Sequence, residues 1–363
     1  MLTRRERVMR TLQFQETDRV PVYDIFQNDA IIEHYAAEIL NGKRYSVEDG
    51  LRVKGFAIGR TLDMTRMPEG PCVPGEFVNE DRLRIHQERW TSWIVERPFK
   101  DIPQMLDWVQ WEIQKTNALT YGTQFRRNFH RWLEECAAYY TAGDPTGRAD
   151  PPVQIVESGV GLTEIYWMLG WDFFTALMFD YPDLLEEWLE ARHQAELRRV
   201  AAIANPRRIP VALTYDDIAY KNGLLISPKW LRQHWAPRLE RLVESWHSRD
   251  TYCIFHSDGN LWAILDDLVA AGIDGLNPLE VLAGMSVKAV RQRYPKLALT
   301  GGIDVSQLLS LGTPEEVRQA CRQAIEDAGG RGYFLGSTTE LHWDVKLENA
   351  IAMLEEPLCL YRP

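Results

Sequence analysis

Short apolar segments alternate with longer helical stretches through the second half of the chain, and this alternation constrains the fold more than any other feature. The apolar segments after residue 150 are residues 152–157, 209–215, 251–256, 275–277, 296–300 and 332–335. Stretches with the periodicity of amphipathic helices separate them, and the longest covers residues 181–204. This alternation predicts a parallel β-sheet that is covered by helices.

A further apolar segment at residues 19–24 and an irregular second unit bring the number of strand–helix units close to eight. No Gly-x-Gly-x-x-Gly motif follows a strand, which disfavours a doubly wound dinucleotide-binding fold. We therefore predict the α/β class and, within it, a (β/α)8 (TIM) barrel. Single barrels reach the length of this chain, so the prediction is one domain over residues 1–363.

The barrel is expected to carry an elaboration in its N-terminal half, as an insertion around residues 60–150. The chain begins with a predicted helix, and residues 28–41 also have helical periodicity. A stretch marked as loop starts near Met64 and is rich in proline and glycine. Polar and apolar residues then alternate over residues 77–95, which predicts a β-meander, and residues 101–142 are predicted to be mostly helical.

The charge and cysteine content disfavour several classes of partner. The formal net charge is −11, whereas nucleic acids and acidic membranes attract clustered Lys and Arg, so we expect neither as a partner. The five cysteines form no Cys-x-x-Cys pair and indicate no disulfide framework. The charged N-terminus does not resemble a secretory signal, and the chain contains no apolar run of about 20 residues. A cytoplasmic location is therefore expected.

Nearly every predicted strand ends in polar residues. They are Asp24 and Gln27, Glu157, Asp216 and Asp217, His256 and Asp258, Asn277 and Glu280, Asp304, and Thr339, Glu340 and His342. In (β/α)8 barrels, residues that follow the carboxyl ends of the strands build the active site. Carboxylates packed together repel one another unless a cation or a substrate donor lies among them. The pattern therefore predicts a metal site or an acid–base centre.

His256 gives the clearest single signal, because it follows an apolar strand directly and its position points it at the barrel mouth. Asp216 and Asp217 are adjacent, so one is expected to face the mouth and the other the helices. We assign Asp217 to the site. Asp258 remains open between a site residue and the N-terminal cap of the next helix.

Three later residues have open roles. Glu280 is a candidate metal ligand or base, or a group that binds a neighbouring loop through its carboxylate. Glu340 and His342 are two residues apart and are expected to face the same side of an extended segment. His342, next to Trp343, is open between a functional role and a packing role.

An ordered set of motifs resembles the uroporphyrinogen decarboxylase-like superfamily. The motifs are Gly223-Leu-Leu-Ile-Ser-Pro228, Phe255-His-Ser-Asp-Gly-Asn260, Ala271-Gly-Ile-Asp-Gly-Leu-Asn-Pro278, Gly284-Met285, Gly301-Gly-Ile-Asp304, Leu311-Gly-Thr-Pro-Glu-Glu316 and Glu348-Asn349. This superfamily includes true decarboxylases and corrinoid-linked methyltransferases. The resemblance implies the barrel fold and covers most of the chain.

Two departures from the family patterns bear on the activity. True decarboxylases carry arginines after the first strand to bind the acidic arms of their substrate, whereas residues 23–30 here contain two aspartates and no arginine. The coenzyme M type of methyltransferase holds zinc with a His-x-Cys pair and a later Cys, whereas this chain has His256-Ser-Asp258, and Thr339 lies near the later Cys position. The resemblance therefore implies the methyltransferase branch with oxygen and imidazole ligands, which suit zinc or harder ions.

The leading hypothesis is a corrinoid-dependent methyltransferase that takes a methyl group from a small methylated or methoxylated compound. The predicted ligands of zinc or another divalent metal are His256, Asp217 and Glu280. The predicted catalytic residues are His256, Asp217 and Glu340, and the predicted substrate-binding residues are Tyr215, Tyr220, Asn277 and His342. The resemblance also implies a separate corrinoid protein as a partner, and a homodimer.

Two alternatives stay open on the sequence. The first is a metal-independent decarboxylase or other lyase of the same superfamily with a non-porphyrin substrate, in which Asp217 or His256 gives the proton. The second is a barrel that binds a ligand or a corrinoid protein without catalysis. Metal content and product formation distinguish these alternatives from the methyltransferase.

Overall fold

The computed structural model describes residues 2–142 and 150–360, so residues 143–149 of the predicted insertion lie outside the described residues. The strands are, in chain order, β1 (Met64–Arg66), β2 (Gly75–Val78), β3 (Arg84–Gln87), β4 (Ser92–Glu96), β5 (Val153–Gly159), β6 (Val211–Tyr215), β7 (Ala219–Tyr220), β8 (Gly223–Leu224), β9 (Tyr252–His256), β10 (Gly275–Leu279), β11 (Ala298–Gly301) and β12 (Tyr333–Phe334).

Helices precede, separate and follow these strands. They are α1 (Arg4–Leu12), α2 (Asp29–Tyr35), α3 (Ala37–Leu40), α4 (Gly50–Thr61), α5 (Ile102–Asn117), α6 (Thr123–Thr141), α7 (Leu162–Leu169), α8 (Trp171–Asp180), α9 (Pro182–Ile203), α10 (Pro228–Trp230), α11 (Ala236–His247), α12 (Leu265–Ala270), α13 (Val287–Arg293), α14 (Pro314–Asp327) and α15 (Leu347–Leu360). The capping boxes of Thr3 with Glu6 and of Thr313 with Glu316 begin α1 and α14.

Seven strands form one parallel sheet in the order β1-β5-β6-β9-β10-β11-β12. At least one helix lies in the chain between each pair of successive strands of this sheet. Since parallel neighbours need a crossover connection, this order follows from the alternation of strands and helices in the sequence. The predicted α/β class with a parallel sheet is confirmed.

A two-residue segment joins the two edges of this sheet. Val22 makes a parallel bridge to Leu335, which follows β12, and Tyr23 makes one to Met64 in β1. The Tyr23 amide donates a hydrogen bond of 2.9 Å to the Leu335 carbonyl, and the Leu335 amide donates one of 2.9 Å to the carbonyl of Pro21. The strand predicted over residues 19–24 is therefore reduced to two bridges, in a segment where Pro21 has no N–H to donate.

β1 is a finding that the sequence did not predict, because its residues follow α4 in a stretch expected to be loop. Met64 and Thr65 in β1 are buried, and the strand pairs with Val153, Gln154 and Ile155 of β5. Three residues are too few for a period of two to be recognised in a sequence.

The side chains on one side of the parallel sheet pack against one another, and those on the other side pack against helices. Alternate strand residues such as Val211, Leu213 and Ile254 form an inner cluster, which Val8 and Leu12 of α1 join. The intervening residues belong to the larger core shared with the helices. Because α1 contributes to the inner cluster near the amino ends of the strands, the carboxyl ends are the end available for a reaction centre.

The predicted β-meander is present as an antiparallel sheet in the order β2-β3-β4. It lies in the chain between β1 and α5, within the predicted insertion. Ile85 is buried on this sheet, whereas Phe77 and Trp93 are exposed. None of the helices in the described part of the chain is both long and apolar enough to span a membrane.

Candidate functional site

His256 lies at the carboxyl end of β9, and its neighbours come from the ends of the adjacent strands. In the sheet register, His256 is paired with Tyr215 of β6 on one side and with Asn277 of β10 on the other. The parallel register therefore brings together three strand ends that are far apart in the chain. The predicted convergence of polar residues at this end of the sheet has its structural origin here.

A hydrogen bond fixes the imidazole of His256. Its Nδ1 lies 2.7 Å from Oδ1 of Asn277. An amide oxygen only accepts, so Nδ1 carries a proton, and in the neutral imidazole the lone pair is then on Nε2. Nε2 lies 3.7 Å from Oδ1 of Asp217. Asn277, predicted to bind substrate, is thus a partner of His256.

Asp217, His256 and Asp258 each offer a ligand atom, and these atoms lie within 4.8 Å of one another. All three side chains are partly buried. The Asp258 amide also donates a hydrogen bond of 3.3 Å to Oδ1 of Asp217, which holds the two segments together. This cluster contains two of the three predicted metal ligands, His256 and Asp217, and Asp258 in the position that Glu280 was predicted to take.

Glu280 has a different contact. Its Oε2 accepts a hydrogen bond of 2.6 Å from the amide of Gly259, so the carboxylate binds the turn that follows β9. This is the loop-binding arrangement that the sequence left open for Glu280. The sequence signal for Asp258 was its spacing from His256, since the family pattern has a metal ligand two residues after the histidine.

Asp216 and Asp217 have separate environments, as the alternation of side chains predicts. Asp216 is fully buried and accepts hydrogen bonds from the Thr163 amide at 2.7 Å and from Nε1 of Trp235 at 2.9 Å. Asp216 therefore holds the first turn of α7 and contacts the helices that cover the sheet. Burial raises the pKa of Asp216 to about 7, and the Glu164 carboxylate acts in the same direction.

Further carboxylates surround the cluster. Burial raises the pKa of Asp258 to about 6 against the effect of His256, and Asp217, Glu280 and Glu340 raise it further. The Oδ1 atom of Asp258 is buried without a hydrogen-bond partner among the described residues. Mutual repulsion and an unpartnered carboxylate oxygen are both relieved by a bound cation.

Glu340 and His342 follow β12. The hydroxyl of Thr339 donates a hydrogen bond to the Glu340 carboxylate. Glu340 acts electrostatically on Asp258 and on Asp24, which places it beside the cluster. His342 accepts a hydrogen bond of 3.2 Å at Nδ1 from the Asp344 amide and is not part of the three-residue cluster.

The two tyrosines predicted to bind substrate lie elsewhere. The Tyr215 hydroxyl donates a hydrogen bond to Glu164, and the ring lines a cavity of about 290 Å³ whose lining includes none of the three cluster residues. Tyr220 in β7 is half exposed, and its carbonyl accepts from the Asn260 amide. Within the described part of the chain, the structure therefore brings His256, Asp217 and Asn277 together and gives Tyr215 other polar partners.

A family model described as Uroporphyrinogen decarboxylase (URO-D) matches residues 161–356, which is more than half of the 363-residue chain. The matched range begins just before α7 and contains the strand ends that carry Asp217, His256 and Asp258. The superfamily indicated by the sequence motifs is the one that the family model identifies.

Two solved structures show different degrees of similarity. The fold is similar to that of a methyltransferase from Methanosarcina mazei, with a TM-score of 0.69, 17% sequence identity and 100% of both chains covered. At that identity the likeness concerns the fold alone. A B12-independent methionine synthase from a Shewanella species has a TM-score of 0.39 and 10% identity, covering 94% of this chain and 97% of that one.

Among curated proteins, the chain is similar to alanine–tRNA ligases. That of Pyrobaculum neutrophilum is 30% identical over 211 residues, which is 50% of this chain and 23% of the ligase. That of Pyrobaculum aerophilum is 29% identical over 167 residues, which is 40% of this chain and 18% of the ligase. The chain therefore spans less than a quarter of the length of the curated relatives it matches. The ligase activity belongs to those proteins and is not assigned to this chain.

Proposed function

The chain belongs to the uroporphyrinogen decarboxylase family, and on that basis we propose that it is a metal-assisted methyltransferase of this family. It takes a methyl group from a small methylated or methoxylated compound and gives it to a corrinoid protein. The observation that carries the proposal is the cluster of Asp217, His256 and Asp258 at the carboxyl ends of the strands. We further infer a (β/α)8 barrel, with residues 22–23 as the eighth strand position between β12 and β1.

The donor set fits a divalent metal. Three protein ligands with a further position open for substrate are typical of catalytic zinc sites, and one imidazole with two carboxylates suits zinc or a harder divalent ion. The hydrogen bond from His256 Nδ1 to Asn277 leaves Nε2 as the ligand atom, and the unpartnered Oδ1 of Asp258 is a second. A metal held there acts as a Lewis acid that polarises the oxygen of a methoxylated donor.

The remaining residues have roles of their own in this proposal. Asn277 orients His256, and Glu280 holds the turn that carries Asp258. The donor oxygen that loses its methyl group takes up a proton from solvent, and we assign Glu340 as the acid–base group that relays it, because it lies beside the cluster.

Charge at this end of the sheet also bears on the substrate. Arg66, at the end of β1, forms an ion pair with Glu157. It is therefore neutralised, and the carboxylates of Asp217, Asp258 and Glu340 make the surroundings negatively charged. A polyanionic porphyrinogen is disfavoured in such a site, whereas a neutral or cationic methyl donor is compatible with it.

Metal content tests the proposal most directly. Protein purified without chelators is expected to hold about one zinc or other divalent ion per chain, and His256→Ala and Asp258→Asn are expected to lose it. Asp266→Asn is the matched control, because its side chain is 65% exposed and pairs with Arg293 on the surface. Retention of the metal in both His256→Ala and Asp258→Asn would contradict the assignment of the ligands.

Activity is tested with a reduced corrinoid protein and a panel of methylated and methoxylated donors. Wild type is expected to form methyl-cobalt, seen as a change in the corrinoid absorption spectrum, and His256→Ala is expected to form none. Turnover of a carboxylic acid by metal-free protein would instead favour the alternative in the same family, a carboxy-lyase with a non-porphyrin substrate in which Asp217 or His256 gives the proton.

A further inference from the structure

A basic groove lies between α6 and the segment that follows α9. Its charged lining consists of Arg126, Arg127, His130, Arg131, Glu134 and Arg208. Glu134 is the single carboxylate among the described residues that line it, and the groove encloses about 480 Å³. Because the whole chain has a net charge of −11, this concentration of positive charge is a local feature of one surface.

The helical repeat of α6 builds one wall of the basic groove. Arg126, His130 and Glu134 are spaced four residues apart, and Arg127 and Arg131 are spaced likewise, so these side chains share one face of the helix. The opposite wall consists of Ala201, Ala202, Ala204 and Asn205 at the end of α9. Small side chains on that wall leave space in front of the guanidinium groups.

Most of the positive charge in the basic groove is not neutralised by the protein. Arg208 lies 2.5 Å from Glu134, and Arg131 donates a hydrogen bond of 2.9 Å to the amide oxygen of Asn128. Arg126 and Arg127 are exposed and have no carboxylate partner among residues 2–142 and 150–360. Two guanidinium groups are therefore free to bind a ligand, and that of Arg131 is held only by a neutral side chain.

The pKa of His130 is affected by the same positive charges. Burial lowers the pKa of His130, and Arg208 and Arg126 lower it further, against the opposing effect of Glu134. The charges of Arg208 and Arg126 thus act on one point of the groove from its two walls. This agrees with the geometry, in which Arg208 donates to the His130 carbonyl at 3.5 Å.

The basic groove is remote from the proposed metal centre. Residues 204–210 lead into the amino end of β6, whereas Asp217 and His256 follow the carboxyl ends of β6 and β9. A ligand in the groove would therefore not contact the metal ligands. The sequence alone indicates a solvated helix face for Arg126 and Arg127.

We propose that the basic groove binds a small anion that carries two or more phosphate groups. Its volume lies within the range of about 300–1,000 Å³ that small-molecule sites have. Planar guanidinium groups bind phosphate oxygens through paired hydrogen bonds, and the three guanidinium groups of Arg126, Arg127 and Arg131 along one helix favour a ligand with several phosphates. This inference does not depend on the proposed methyl transfer.

Calorimetric titration of the whole chain with inorganic triphosphate tests the proposal. Wild type is expected to give saturable binding that weakens as the salt concentration rises. Arg126→Ala/Arg131→Ala is expected to bind at least about tenfold more weakly, because two charge-assisted contacts are lost. Arg126→Lys/Arg131→Lys keeps the charge and loses the paired geometry, so it is expected to lie between the two.

A control variant with two substitutions distinguishes binding in the groove from a general effect of the protein's charge. Arg84→Ala/Arg293→Ala removes the same two charges from half-exposed surface ion pairs elsewhere and is expected to leave triphosphate affinity unchanged. Equal loss of affinity in the two alanine pairs would overturn the proposal, as would absence of saturable binding by wild type. Tighter binding of citrate than of triphosphate would overturn the assignment to phosphates.

Discussion

At His256, one hydrogen bond decides which ring nitrogen is available. Asn277 accepts from Nδ1 at 2.7 Å, and Nε2 faces Asp217 at 3.7 Å. Without Asn277 the ring would be free to rotate or to change tautomer. Partners of this kind tune the affinity of a metal site without touching the ion.

Replacement of Asn277 separates positioning from ligation. Asn277→Leu removes the acceptor, so zinc affinity is expected to fall about 10–100-fold. Asn277→Asp keeps an acceptor for Nδ1 and is expected to stay near wild type. A competition titration against a chromophoric chelator measures both, and wild-type zinc affinity in Asn277→Leu would rule out the orienting role.

Asp24 is a buried carboxyl whose protonation is linked to stability. Burial raises the pKa of Asp24 from 3.8 to about 7, although the amides of Ser337 and Ile25 act in the opposite direction. Between about pH 4 and pH 7 the folded state therefore holds a proton that the unfolded chain has released. The contribution of this group to the free energy of unfolding falls as the pH rises through that window.

Asp24→Asn removes this titration. The free energy of unfolding of the variant is expected to fall less between pH 4 and pH 7 than that of wild type, both measured by urea unfolding in a chelator. Asp344→Asn is the control, since that side chain is 72% exposed. Parallel pH profiles of wild type and Asp24→Asn would show that Asp24 ionises normally in the fold.

Among the elements, the turn after β9 depends on a contact with the end of β10. Glu280 accepts from the Gly259 amide, and Gly259 has φ of +91°. A Cβ at this position would lie 2.5 Å from the Tyr220 amide nitrogen. Only glycine combines this backbone conformation with such a close approach. The turn that places Asp258 beside His256 therefore requires glycine at position 259.

Gly259→Ala is expected to destabilise the fold by about 1–3 kcal/mol, because the backbone must shift or remain strained. Metal affinity is expected to fall as well, since the shift displaces Asp258. Gly75→Ala is the control, because no atom lies within 4 Å of its Cβ position. Thermal unfolding measures both variants, and equal stabilities would contradict the close approach.

For the whole molecule, a buried ion-pair network joins the N-terminal segment to the sheet. Asp63 has no exposed side-chain surface and accepts hydrogen bonds from Arg7 at 2.7 Å and from Arg19 at 2.6 Å. It also accepts from the Val22 amide at 2.9 Å. One carboxylate thus connects α1, the segment that joins the sheet edges, and the start of β1.

Asp63→Ala leaves two arginines without this partner. The free energy of unfolding is expected to fall by about 3–5 kcal/mol, as happens when one member of a buried ion pair is removed. Asp266→Ala, which removes an exposed partner of Arg293, is expected to change it by less than about 1 kcal/mol. Urea unfolding followed by circular dichroism compares them, and a small effect at Asp63 would contradict the network's role.

The sequence predicted most of the parallel sheet and part of the site. β5, β6 and β9 to β12 are buried on both sides, so they stand out as apolar runs between helices. β1 was missed because three residues carry no recognisable period. His256 and Asp217, which the structure brings together, were predicted because they lie at or within two residues of a strand end, where the direction of the side chain depends on the strand itself.

By itself the sequence determined the class of fold, the ends of the strands and the family, since these depend on local periodicity and on ordered motifs. Only the tertiary structure decided between Asp258 and Glu280 as the third member of the cluster. Both follow strand ends, and in such turns the side-chain direction depends on contacts from other strands. The hydrogen bond between Glu280 and Gly259 joins residues 21 positions apart, and no local pattern encodes it.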